Sequence, residues 1–131
     1  MVKKIDHIGI AVKDLNQQIK YYNEVLGLKC SDVLELPEQQ VRLVFVAIGS
    51  TRLELLETTS PEGPIGKFLA RRDEGIHHIA YRVENLEGEL VRIEEKKIQL
   101  IDKKPKFSAN GHKIAFLHPK STFGVLTELC E

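Results

Sequence analysis

Two histidines and two glutamates occupy equivalent places in a chain that repeats itself. The segments "DHIGIAVKDL" and "HHIAYRVENL" align at an offset of 71 residues, which matches His7 with His78. With three further residues inserted, "LELLE" aligns with "TELCE", which matches Glu54 with Glu128. A histidine and a carboxylate that recur in register in both halves of a chain indicate one site built from both halves.

The donor atoms of these four side chains suit a divalent metal ion. Imidazole nitrogens and carboxylate oxygens without thiolates suit Co²⁺, Mn²⁺, Fe²⁺, Ni²⁺ or Zn²⁺, and the sequence does not select among them. One histidine in a strand is more often a core or surface residue, but four residues in repeat register favour a metal site. Burying two carboxylates without a cation would also be costly. We therefore predict that His7, Glu54, His78 and Glu128 are metal ligands.

The repeat register selects His78 from the doublet in "GIHHIAYRV", and strand alternation places His77 on the opposite face. His7 and His78 each share a strand face with small residues, whereas bulky aliphatic residues occupy the opposite faces. We expect both histidines to face a cleft and His77 to be structural. The same alternation places Glu57 and Glu131 on the other face, where we expect them to reach solvent.

Each half of the chain has the element pattern βαβββ. A Pro/Gly-rich linker over 60–75, with a short helix from Ile65 to Arg71, separates module 1 (4–59) from module 2 (76–131). The sequence therefore predicts an α+β fold in which two tandem βαβββ modules of a single domain (1–131) form a shared cleft. The predicted elements are strands near 4–12, 30–36, 41–48 and 51–58 with a helix over 14–27, then strands near 76–83, 98–102, 112–117 and 124–130 with a helix over 86–97.

The charge balance gives no electrostatic case for a nucleic-acid or membrane partner, because Lys plus Arg and Asp plus Glu both number 19. The basic run "KKPK" is interpreted as a solvated turn. No apolar run approaches the roughly 20 residues of a membrane helix, and the N-terminal segment lacks a signal-peptide pattern. Cys30 and Cys130 imply no disulfide framework. We expect a cytoplasmic protein.

Four segments together resemble a known family: "DHIGIAV", "YYNEVLGL", "GIHHIAYRV" and "FLHPKSTFGVLTEL". The chain resembles the vicinal oxygen chelate (glyoxalase/bleomycin-resistance) superfamily over Lys4 to Glu131, and within it the methylmalonyl-CoA epimerase family. "HPK" just before "GVLTEL" is typical of the epimerases. The resemblance implies the glyoxalase fold, a CoA thioester substrate, a homodimer and a divalent metal ion, with Co²⁺ as the first expectation.

The resemblance also implies roles for individual residues. His7, His78 and Glu128 match the family's metal ligands, and Glu54 matches a position where some members have Gln, so it is expected to bind directly or through a water. Glu38, in the segment "PEQ", matches a catalytic carboxylate of the family. The implied reaction is metal-dependent epimerisation of (2R)- and (2S)-methylmalonyl-CoA, with Glu38 and Glu128 as the acid/base pair.

Other functions of the same superfamily stay open at this point. A glyoxalase I-type lactoylglutathione lyase uses related metal chemistry, and the "HPK" ending favours the epimerase over it. Extradiol dioxygenases and thiol transferases typically use two histidines and one glutamate, so a fourth candidate ligand counts against them. A metal-free protein that sequesters a ligand would not need these two histidines and two glutamates. Arg82, Lys113 and Lys120 are candidate contacts for a carboxylate or the CoA phosphates, and the sequence selects none of them.

Overall fold

The structure, a computed structural model, describes residues 1–108 and 110–131. Within these residues, two βαβββ modules follow one another along the chain, and a further helix lies between them, which confirms the predicted α+β fold class. The elements are β1 (Val2–Val12), α1 (Leu15–Lys20), a π-helical turn (Tyr21–Val25), β2 (Leu34–Leu36), a 3₁₀ turn (Pro37–Gln39), β3 (Val41–Ile48), β4 (Thr51–Thr58), α2 (Pro64–Arg72), β5 (Gly75–Val83), α3 (Leu86–Glu95), β6 (Lys106–Phe107), β7 (Lys113–Leu117) and β8 (Thr127–Cys130).

The chain divides into two compact units. The N-terminal unit is His7–His77, and the C-terminal unit combines His78–Glu131 with the first six residues, Met1–Asp6. Ion pairs join these six residues to the rest of the C-terminal unit, since Lys3 pairs with Glu84 and Asp6 with Arg82. The predicted single domain with modules at 4–59 and 76–131 stays a prediction.

The N-terminal unit is a sheet with a helix packed on each face. In this sheet β2, β3 and β4 are antiparallel neighbours, and β1 pairs with β4 in parallel. Ile19 of α1 packs on a cluster formed by Val12, Val44 and Leu55 and their neighbours. Residues of α2 pack on the opposite cluster, which is formed by Ala11, Val41, Leu43, Leu56, Ile65 and Phe68.

The C-terminal unit repeats the sheet, with β8 between β5 and β7 and with β6 at the edge. Helix α3 buries Leu86 and Leu90 against one face, where Ala115 and Leu129 complete the cluster. The other face carries a smaller cluster of Ala80, Ile114, Cys130 and Phe116.

Two glutamates that were expected in solvent instead bind the N-termini of helices. A side-chain oxygen of Glu57 accepts a hydrogen bond from the backbone N–H of Leu15 at 2.7 Å. Glu131 accepts one from the N–H of Leu86 at 2.9 Å. The expectation was wrong because the first N–H groups of each helix have no partner inside the helix and require an acceptor. The two contacts are equivalent under the repeat.

Several predicted element bounds were wrong. The segment 98–102 forms only an isolated bridge at Leu100. The side chain of Asp102 accepts the backbone N–H of Phe116 at 2.9 Å, in the place of a backbone carbonyl of a paired strand. The predicted strand near 30–36 is regular only over β2, with an isolated bridge at Cys30. The last strand begins at Thr127, after a turn in which Gly124 donates to Pro119 at 2.9 Å.

Candidate functional site

A histidine and a carboxylate meet in the N-terminal unit. His7 lies on β1 and Glu54 on β4, and the parallel register places Gly9 opposite Glu54. The Nε2 atom of His7 is 3.6 Å from Oε2 of Glu54, with the two side chains 7% and 17% exposed. The small residues Gly9 and Ala11 follow His7 on the same strand face.

The C-terminal unit contains the equivalent pair. Nε2 of His78 on β5 is 3.3 Å from Oε2 of Glu128 on β8, and both side chains are 5% exposed. The ring of Phe116 meets the imidazole of His78 edge to face, with the ring centroids 5.7 Å apart. The Glu128 carboxylate is therefore buried beside an imidazole.

The strand registers of the two units are the same around these pairs. Glu54 lies opposite Gly9 on one side and Phe45 on the other. Glu128 lies opposite Ala80 and Phe116. The 71-residue offset that matched the histidines in the sequence also matches these neighbours.

Distances within each pair fit ligands of one metal ion. Metal–nitrogen and metal–oxygen bonds of about 2.0–2.2 Å place neighbouring donor atoms roughly 3.0–3.6 Å apart in octahedral or tetrahedral sites. The separations of 3.6 Å and 3.3 Å lie in that range. Each pair offers one nitrogen and one carboxylate oxygen.

Glu38 is not on the strands that carry these pairs. It is exposed on the 3₁₀ turn that joins β2 to β3. The turn is fixed at both ends, by Pro37 at its start and by Gln40, which has a left-handed φ of 56°. Gln40 donates to the carbonyl of Pro37 at 3.1 Å, and its own carbonyl accepts from Thr59 at 2.9 Å. The backbone at Glu38 is thus anchored although its side chain is exposed.

Beside Glu128, on the same face of the C-terminal unit, lies a buried ion pair that the sequence did not reveal. Arg82 donates two hydrogen bonds to one oxygen of Asp6, at 3.0 Å and 2.7 Å. The hydrogen bond to Asp6 raises the pKa of Arg82. Burial, followed by the negative charge of Asp6, raises the pKa of the neighbouring Cys130 thiol to about 12. Arg82, a candidate substrate contact, is therefore engaged within the protein. Asp6 immediately precedes a candidate ligand, and only that adjacency could have drawn attention to it.

The remaining histidines lie outside the two pairs. His77 packs edge to face against Phe68, with ring centroids 5.0 Å apart. His118 accepts the backbone N–H of Lys120 through Nδ1 at 3.1 Å, and His112 is exposed next to a turn. Within the described residues, no helix is both long and apolar enough to span a membrane.

Comparisons with known proteins match nearly the whole chain. A family model described as "Glyoxalase/Bleomycin resistance protein/Dioxygenase superfamily" matches residues 6–116. The mitochondrial methylmalonyl-CoA epimerase of Homo sapiens is 38% identical, over 96% of this chain and 72% of that protein. The ethylmalonyl-CoA/methylmalonyl-CoA epimerase of Cereibacter sphaeroides is 34% identical, over 98% of each chain.

A solved structure gives the same result. A variant of Streptomyces coelicolor methylmalonyl-CoA epimerase, in complex with 2-nitronate-propionyl-CoA, is similar with a TM-score of 0.92 and 36% identity. The match covers 99% of this chain and 94% of that chain. The sequence and the structure therefore agree that this chain belongs to the glyoxalase/bleomycin resistance protein/dioxygenase superfamily.

Proposed function

We propose that the protein is a metal-dependent epimerase that interconverts (2R)- and (2S)-methylmalonyl-CoA. The observation that carries the proposal is the pair of equivalent histidine–carboxylate contacts, in a chain whose relatives named methylmalonyl-CoA epimerase match almost its full length. A lactoylglutathione lyase and a metal-free sequestering protein are the alternatives that the experiments below distinguish.

The proposed metal ligands are His7, Glu54, His78 and Glu128. The donor types and the separations within each pair support this assignment, and the ion is a divalent cation, with Co²⁺ as the first candidate. When bound, the ion supplies Lewis-acid stabilisation of the negative charge that develops on the thioester oxygen. Glu54 is proposed as a direct ligand because its oxygen faces Nε2 of His7 at 3.6 Å.

Two carboxylates are proposed to move the proton. Epimerisation removes the C2 proton, which lies between the thioester and the carboxylate of the substrate, and returns a proton to the opposite face of C2. Inversion therefore requires an acid/base group on each side of the carbon. We assign these roles to Glu38 and Glu128, so that one carboxylate accepts the C2 proton while the other, in its acid form, donates one.

The surroundings of the two glutamates suit different tasks. The Glu128 side chain, 5% exposed beside His78 and Phe116, is fixed in position and shielded from water. Glu38 has an exposed side chain on an anchored backbone, so its carboxylate can exchange its proton with solvent between turnovers. Such a difference predicts that one face of C2 exchanges its hydrogen with water faster than the other.

Deuterium exchange tests the proposed reaction. Metal-loaded protein is incubated with (2S)-methylmalonyl-CoA in D₂O, and deuterium at C2 and the configuration of C2 are followed together. The proposal predicts deuterium incorporation with formation of the (2R) epimer. No exchange with any divalent metal would refute it. Turnover of a glutathione hemithioacetal instead would support the lyase, and metal-independent binding without turnover would support sequestration.

The assignment of Glu38 is tested by Glu38→Gln, which keeps the size of the side chain and removes its basicity. We expect epimerisation to fall by at least about 100-fold, the usual contribution of a general base, while metal content stays normal. Glu35→Gln is the matched control, because Glu35 is exposed on β2 and its carboxylate forms only a weak ion pair with Arg42, at 3.7 Å. Full activity of Glu38→Gln would show that another group is the base.

A homodimer and a cytoplasmic location remain predictions. Light scattering of the purified protein tests the first, and fractionation of cells that express it tests the second.

A further inference from the structure

A groove of about 570 Å³ lies on the C-terminal unit, and its lining residues are outside the histidine–carboxylate pairs. This volume is in the range typical of small-molecule sites. Three cationic side chains, Lys103, Lys104 and Lys113, line it together with one carboxylate, Glu87, and with apolar residues that include Val91 and Phe107. The mixture of cations and apolar surface suits a ligand with phosphates and a flat ring.

The apolar part of the groove is open to solvent. Phe107 is 70% exposed and Val91 is 59% exposed, and Pro105 lies between the lysines and Phe107 in the sequence. An exposed aromatic ring offers a face on which a nucleobase can stack. A ligand with a base ring would remove this surface from water.

The lysines of the groove are only loosely engaged. Lys113 is 3.7 Å from Glu87 and 3.6 Å from Glu131, and Lys103 is 3.4 Å from Glu94. Exposed ion pairs at such distances contribute little to stability, so a phosphate can replace the carboxylates. Lys104 forms no ion pair within the described residues 1–108 and 110–131.

A basic residue at the sheet edge connects the groove with the site. In the register of β6 and β7, Lys106 lies opposite Ile114 and Phe107 opposite Lys113, so Lys106 and Phe107 point to opposite faces of the sheet. The Nζ atom of Lys106 is 5.1 Å from the ring of Phe116, which packs against His78. In the run "KKPKF", Lys106 thus points to the face that carries Phe116, and the other four residues line the groove.

We propose that this groove binds the adenosine 3′,5′-bisphosphate end of the CoA thioester, an inference that rests on the proposed function. The lysines bind its phosphates, and its adenine stacks on Phe107. The pantetheine arm crosses the sheet edge beside Lys106. Along β7, the step from Phe116 to Lys113 is three residues, about 10 Å, which an extended pantetheine arm can span. The basic run "KKPK", which the sequence alone suggested was a solvated turn, is then a substrate contact.

Calorimetry with adenosine 3′,5′-bisphosphate alone tests the groove without any turnover. The wild type should bind it, and the double variant Lys104→Ala/Phe107→Ala should bind at least about tenfold more weakly, because it lacks one cationic contact and the stacking ring. Lys67→Ala, which removes an exposed charge on α2, is the matched control and should bind like the wild type. Absence of binding to the wild type, or equal binding to the double variant, overturns the proposal.

Kinetics with two substrates separate the nucleotide contact from the reaction. For methylmalonyl-CoA, the double variant should show a KM at least about tenfold higher with kcat within about twofold. For methylmalonyl-pantetheine, which lacks the nucleotide, KM should be the same in both proteins. Equal KM changes for the two substrates overturn the groove assignment but leave the epimerase intact. Failure of the wild type to exchange C2 hydrogen refutes the proposed function, and the calorimetry still decides the groove.

Discussion

Arg82→Met tests the buried ion pair on the same sheet face as Glu128. The variant keeps the apolar stem of the side chain and removes the guanidinium that donates both hydrogen bonds to Asp6. Asp6 is 4% exposed, so the change removes a cation from a buried carboxylate. Breaking such a pair destabilises a protein by about 3–5 kcal/mol, and we take about 3 kcal/mol because Arg82 is itself 31% exposed.

The expected change in melting temperature follows from the size of the chain. An unfolding entropy of about 2.1 cal/mol/K per residue gives, for 131 residues, about 0.28 kcal/mol/K. A loss of about 3 kcal/mol then lowers Tm by about 11 °C. Thermal unfolding followed by circular dichroism measures this shift, and urea unfolding gives the free energy independently.

Two further variants make the test specific. Lys13→Met breaks an exposed ion pair with Asp73 and should shift Tm by at most about 2 °C. Asp6→Asn combined with Arg82→Met should be less destabilised than the sum of the single variants, because the buried charge is absent. If Arg82→Met lowers Tm by less than about 3 °C, or if the effects of the two substitutions are additive in the double variant, the ion pair does not stabilise the protein as predicted.

Two other predictions concern titratable groups of the C-terminal unit. Hydrogen bonds, first from Arg92 and then from the N-terminal ammonium, lower the pKa of Glu89 below its ordinary value of 4.5. The stability that the Glu89 carboxylate contributes is therefore complete above pH 4.5. It is lost as the pH falls through the lower pKa of the folded state. Urea unfolding between pH 3 and 7 should show a smaller acid loss for Glu89→Gln, and an unchanged loss would contradict the assignment. Cys130, 2% exposed and with a pKa of about 12, should resist iodoacetamide at pH 8 until the protein unfolds, whereas the partly exposed Cys30 should react first. Rapid alkylation of Cys130 in the folded protein, located by peptide mass spectrometry, would show that its surroundings are open.

The sequence predicted the fold class and the two histidine–carboxylate pairs because both depend on local patterns. Strand alternation assigns a face to each residue, and the repeat matches His7 with His78 and Glu54 with Glu128. Gly9 and Ala80 lie opposite Glu54 and Glu128 as that alignment requires.

Features that depend on side chains replacing backbone groups could not be predicted. Asp102 takes the place of a strand partner, and Glu57 and Glu131 accept hydrogen bonds from helix N-termini. No pattern in the sequence shows which acceptor a given N–H will find. The contact between Asp6 and Arg82 joins residues 76 positions apart, beyond any local signal.

Metal stoichiometry tests the proposed ligands His7, Glu54, His78 and Glu128 most directly. Elemental analysis by mass spectrometry is carried out on the wild type and on His7→Ala and His78→Ala, each confirmed as folded by circular dichroism. We predict one divalent ion per chain in the wild type and its loss in both variants. Two ions per chain, or one ion retained after either substitution, would contradict this prediction.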